Sequence, residues 1–128
     1  MLPAQHRMRR SSDFDDAVRR GARGGTRRLV VHLAAGTDET TTSDRPALVG
    51  FVVPKAVGGA VQRNQVKRRL RAVLAARVVA LPAGARVVVR ALPDAAGATF
   101  QQLASDVDAA LAAARRRSAR AARTRGAA

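Results

Sequence analysis

A chain of 128 residues, 47% of them hydrophobic, can bury one modest core and is too short for two ordinary domains. It has no cysteine, tryptophan or tyrosine and only three phenylalanines, which excludes disulfides and thiolate metal sites and leaves valine and leucine to fill the core. Its 24 Lys and Arg against nine Asp and Glu give a net charge of +15, a self-repelling excess that expects a polyanionic partner.

Residues 1–10 read as a basic, extended segment without the apolar stretch of a secretory signal. "SSDFDDAVRRG" predicts a short helix, with Ser11 or Ser12 as cap, acids in the first turn, Arg19 and Arg20 in the last, and Gly21 closing it. Phe14 and Val18 fall on one face of it. "ARGGTRR" reads as a flexible basic connection into a strand, "RRLVVHLAA". The polar stretch "GTDETTTSDRP" is an expected loop, with room for a short extra strand in residues 36–46. "ALVGFVV" is a second strand, stopped by Pro54, with Val49, Phe51 and Val53 on one side.

Residues 60–77 predict a helix whose Val66, Leu70, Val73, Leu74 and Arg77 form one stripe. "LPAGA" breaks it, and "RVVVRAL" is a third strand. After the loop "PDAAGAT" comes a last helix, "FQQLASDVDAALAAARRR", with Phe100, Leu103, Val107 and Leu111 facing inward. The Ala/Arg-rich residues 118–128 read as a disordered basic tail. The order α-β-β-(β)-α-β-α predicts a single α+β domain over residues 11–117, a mixed sheet packed by helices. No apolar run approaches the roughly 20 residues that span a bilayer, so a soluble, cytoplasmic protein is expected.

The helix over residues 60–77 carries the loudest local signal. Five of the ten residues 62–71 are positive, and no acid occurs between Arg45 and Pro93. Successive residues turn about 100°, so Arg63, Lys67 and Arg71 rise in a ridge beside the apolar stripe, with Asn64 and Arg68 further round that flank. A merely solvated face would interleave acids at i±4; like charges there cost a few tenths of a kcal/mol each. Arginine outnumbers lysine four to one in the cluster, and its planar fork suits phosphate oxygens. The pattern points to structured nucleic acid held through phosphates and shape. It is neither a helix-turn-helix nor an aromatic RNA-recognition sheet.

"AVGGAVQRNQVKRRLR" resembles the signature of the bacterial ribonuclease P protein subunit, which runs K-x-(V/I)-G-x-A-V-x-R-N-x-(V/I)-K-R-x-x-R. Lys55, Val57, Gly58, Ala60, Val61, Arg63, Asn64, Val66, Lys67, Arg68 and Arg71 carry the match. The likeness extends over about residues 7–115, through "RMRRSSDFDDAVRRG", "ALVGFVVPK" and the last strand and helix. Gln65, Ala56 and Gly59 depart from the pattern, which commonly has Arg, Lys and Asn there.

The resemblance implies an accessory protein that helps a catalytic RNA remove the 5′ leader of precursor tRNA. It implies a left-handed β-α-β crossover around the motif helix, against the usual hand. It also implies RNA contacts by Lys55, Arg63, Asn64, Lys67, Arg68 and Arg71, and a leader cleft lined by Phe14, Val18, His32 and Phe51. One protein is expected per catalytic RNA. The nine acids are scattered and the two histidines isolated, with no Walker loop, zinc spacing or catalytic triad. No catalytic residue and no metal ligand is therefore expected in this chain, and Mg2+ falls to the RNA. The rival readings are a ribosomal-type RNA-binding protein and a nucleoid-type DNA-binding protein, neither tied to an enzyme.

Overall fold

Short runs of valine and leucine build the sheet. In the computed structural model, which describes residues 6–8, 14, 17–19, 21–34, 47–82 and 84–126, β1 is Ala22–Gly25, β2 Leu29–Ala34, β3 Leu48–Val52 and β4 Arg86–Ala91. The sheet order is β1-β2-β4-β3. β2 is antiparallel to β1 and β4, with His32 opposite both Arg23 and Val88. β3 is parallel to β4, with Gly50 opposite Val88 and Phe51 opposite Val89. Between these parallel neighbours the chain forms a 3-10 turn, Lys55–Val57, and helix α1, Ala60–Ala75. Helix α2, Phe100–Gly126, follows β4.

Alternation along the strands gives the sheet two apolar faces. One face, with Leu29, Val31, Leu33, Val49, Val87 and Val89, meets Val66, Leu70, Val73 and Leu74 of α1 and Leu103, Val107 and Leu111 of α2. Phe51 and Val53 pack partly against this core, as the alternation predicts. The other face carries a smaller cluster, Met8, Ala17 and Val88, flanked by Phe14, Leu48 and Val52. Phe14 and residues 17–19 are helical, in agreement with the expected first helix; the cap positions Ser11 and Ser12 lie outside the described residues.

Each helix start is closed locally. Ahead of α1 the Gly59 N–H donates to Gln62 Oε1 at 3.2 Å. Ahead of α2, Thr99 N–H donates to Gln102 Oε1 at 3.0 Å while Gln102 N–H donates to Thr99 Oγ1 at 3.1 Å, a reciprocal capping box.

Four expectations need correction. Residues 22–25, read as a flexible connection, are strand β1; the strand expected in 36–46 falls outside the described residues. The reason is tertiary: α2 lies so close to β1 that a Cβ at Gly24 would overlap the Ala110 carbonyl. Helix α1 ends at Ala75, and Arg77 sits in the following turn, its guanidinium donating to the Val73 carbonyl. Phe100 is 46% exposed instead of facing the core, because it is the first residue of α2 and precedes the inward turn at Leu103. Finally, α2 continues past residue 118 to Gly126 where a disordered tail was expected. Alanine and arginine are both good helix formers, so a low-complexity run of them propagates a helix already nucleated on the sheet.

Candidate nucleic-acid interface

Helix α1 turns its Val66–Leu70–Val73–Leu74 stripe into the core, which fixes the azimuth of everything else on it. Arg63, Lys67 and Arg71 lie half-buried along the stripe's border, and Asn64 and Arg68 are exposed. Arg69 has a structural task instead: its guanidinium donates to the Ala98 carbonyl at 2.6 Å, stapling α1 to the loop before α2. Arg63 Nε is buried and has no partner among the described residues. A donor left so is costly unless an outside acceptor meets it.

The three acids among the described residues all pair with arginines away from this ridge. Asp94 meets Arg27 at 3.2 Å, Asp106 meets the half-buried Arg28 at 3.1 Å, and Asp108 takes a two-pronged contact from Arg77 at 2.5 and 3.0 Å. The Arg77 hydrogen bonds hold the Asp108 carboxyl below its ordinary range. Carboxylates thus serve the fold, and Arg63, Lys67, Arg68 and Arg71 have no carboxylate partner among the described residues.

A groove of about 200 Å3 opens beside the ridge, at the outer edge of β3. Lys67 and Arg71 form one wall; Arg7, Met8 and Phe14 face them across a floor of Val49, Gly50 and Phe51. Residues 6–8 are pinned there. Met8 N–H donates to the Val49 carbonyl at 2.9 Å, Arg7 bridges Val49 in parallel, and His6 Nδ1 lies 2.8 Å from the Ala47 carbonyl. Gly50 makes the site possible: a Cβ there would come within 2.5 Å of the Phe14 ring and 3.1 Å of Met8 Sδ.

The groove brings together four of the residues singled out from sequence: Phe14, Phe51, Lys67 and Arg71. Arg63, Asn64 and Arg68 continue the cationic surface along α1, and Lys55 is exposed on the 3-10 turn that leads into it. Val18 and His32 are not among its lining residues. Val18 is half exposed beside Ala17, and His32 is buried on β2, which β4 separates from β3. His32 does share a sheet face with Gly50, since Arg23, His32, Val88 and Gly50 form one cross-strand row. Arg7, Met8, Val49 and Gly50 are the lining residues that sequence reasoning does not select. A lone glycine inside an apolar strand is a signal of close approach, and Gly50 could have been found that way.

Burial, and then the charges of Arg23 and Arg90, hold the His32 imidazole below its ordinary value. Its Nδ1 is buried without a partner, so the folded protein prefers the neutral ring. As pH falls, the unfolded chain takes up this proton first. The site's contribution to stability is therefore complete above about pH 6.5 and is lost as pH drops through the lower folded-state value. His32→Leu is expected to flatten the fall in Tm between about pH 7.5 and 5, as thermal melts across that window would record.

A family model for ribonuclease P matches residues 2–115. The chain belongs to the ribonuclease P protein family. It is 57% identical over 114 residues to the ribonuclease P protein component of Streptomyces bikiniensis, covering 87% of this chain and 93% of that one. The component from Kocuria rhizophila is 52% identical over 119 residues, covering 93% of this chain and all of the other. Among solved structures, the Staphylococcus aureus RNase P protein superposes with a TM-score of 0.72 at 24% identity, covering 89% of this chain and 93% of that one. The Thermotoga maritima RNase P protein gives 0.64 at 21% identity over 79% and 90%. At those identities the likeness establishes the fold. As a ribonuclease P protein component, the chain is part of a ribonucleoprotein endoribonuclease and has an RNA subunit as partner. No helix among the described residues is long and apolar enough to cross a membrane.

Proposed function

We propose that this protein binds the catalytic RNA through the α1 ridge and holds the 5′ leader of precursor tRNA in the groove at β3. One observation carries the reading: the groove joins Phe14 and Phe51 to Lys67 and Arg71, on a helix whose Arg63 keeps a buried donor without an acceptor among the described residues. Two large RNAs that must approach each other repel through their phosphates. Cations held rigidly in the gap lower that repulsion and release counterions, which makes association steeply salt-dependent. Lys55, Arg63, Lys67, Arg68 and Arg71 supply the charge. Asn64 adds an amide that both donates and accepts, which no cation can do.

An extended single strand fits the groove by a different chemistry. Phe14 and Phe51 offer aromatic faces to bases, worth about 1–3 kcal/mol for each base stacked, while Arg7, Lys67 and Arg71 track the backbone. His32 and Val18 support this cleft from the same side of the molecule by shaping the sheet face and the helix above it; we assign neither a direct contact with bases. Val18 remains open to solvent.

The described side chains do not suit a divalent cation. No group of three His, Cys, Asp or Glu comes together among them, and Asp94, Asp106 and Asp108 are engaged by arginines. Mg2+, which activates water and steadies the leaving oxygen in phosphodiester hydrolysis, is accordingly assigned to RNA phosphates. The protein's part is to bind, orient and neutralise, one copy per catalytic RNA. The deciding experiment mixes the purified chain with catalytic RNA and precursor tRNA at low magnesium and scores leader removal. Stimulation is expected, with no cleavage by the chain alone; cleavage unaided, or indifference to the chain, overturns the reading.

A further inference from the structure

The acids of α2, Asp106 and Asp108, sit in its first half; from Arg115 to Arg120 four of six residues are arginine and none is acidic. Arg115 and Arg117 tether the helix. Arg115 donates to the Ala80 carbonyl at 3.0 Å and Arg117 to the Arg23 carbonyl of β1 at 2.6 Å. Ala110 and Ala114 face β1 at Gly24, which puts Arg116 and Arg120, one turn apart, on the outward side. Helix-dipole complementation does not account for them. That effect is confined to the last turn, and Arg115–Arg117 lie more than two turns before Gly126.

At this end β1 offers its backbone: the Arg23 carbonyl holds Arg117, while the Arg23 side chain lies in the row with His32 on the sheet's other face. β1 and β3 are the two edges of the sheet, so the arginine end of α2 and the groove at β3 lie on opposite borders, about 14 Å apart across the strands. All three phenylalanines are elsewhere, at 14, 51 and 100, so nothing here stacks on bases. Past Arg117 the helix runs on for roughly 13 Å. Cations without aromatics suit phosphates whose bases are turned inward, as in an A-form stem.

We propose that Arg116, Arg117 and Arg120 form a second RNA-binding surface that grips a double-helical stem of the RNA subunit. The inference rests on the reading given above. It turns the protein into a two-point clamp on one RNA, where the second contact forms intramolecularly at a high effective concentration.

The test measures binding of the full chain to the RNA subunit over a salt series, for wild type and for Arg116→Gln with Arg120→Gln. The double variant is expected to bind about tenfold more weakly near physiological salt. Its slope of log K against log salt should be shallower by roughly 1.5, the share of two lost phosphate contacts. Lys at both positions should restore most of both quantities. Unchanged affinity and slope overturn the proposal, and so does a loss confined to precursor tRNA binding by holoenzyme assembled with saturating protein. Arg116→Gln alone, carrying half the slope change, keeps the test decisive if the double variant melts early. A wild-type chain that binds the RNA subunit but ignores these substitutions sinks the second surface only. One that fails to stimulate leader removal sinks the reading beneath it.

Discussion

Replacing Arg63 and Arg68 together by alanine should weaken binding to the catalytic RNA roughly 100-fold, about 3 kcal/mol for two charge-assisted contacts. Stimulation of leader removal at low magnesium should be lost with it. Neither side chain supports the fold. Arg68 is exposed, and Arg63 Nε finds no acceptor among the described residues. The melting temperature should accordingly stay near wild type, or rise slightly as like charges on α1 are removed. Filter binding and cleavage assays run side by side on the same preparation give the result. High magnesium should recover much of the cleavage, since it screens the same phosphates. Wild-type affinity and wild-type cleavage at low magnesium would mean that the ridge faces solvent.

The largest effect on stability is expected from Gly24→Ala. The new Cβ would overlap the Ala110 carbonyl and stand 2.8 Å from the Ala114 amide, both backbone atoms of α2 that cannot rotate aside. β1 and the helix must then separate, and the burial of Ala110 and Ala114 is lost with them. A cost of about 3 kcal/mol follows, near 10 °C or more in Tm for a domain of this size. Gly25→Ala is the matched control. Its Cβ would meet the Val30 side chain at 3.5 Å, an ordinary contact, so Tm should move little.

Some of this molecule is legible in its sequence because the cause is local. The α1 stripe has a 3.6-residue period and an uncompensated charge ridge, and both arise within sixteen residues. Val49, Phe51 and Val53 alternate as any half-buried strand does. β1 hides because Ala-Arg-Gly-Gly has no strand propensity; pairing with β2 and the close approach of α2 impose its conformation. The groove hides for the same kind of reason. Arg7 and Met8 meet Val49 across some forty residues of chain, and nothing near them announces that partner. His32 misleads in the opposite direction. It is a polar residue at a family cleft position, yet the sheet buries it between Arg23 and Val88.

Helix α1 is spliced between adjacent parallel strands and fastened at mid-length by Arg69. Its cations therefore meet RNA as a fixed array, with the backbone entropy of ordering them already spent in folding. What is left to freeze on docking is the rotamer freedom of a few long side chains, about 0.5–1.5 kcal/mol for each. Recognition by such a surface is limited by diffusion and by the shape of the RNA more than by any rearrangement of the polypeptide.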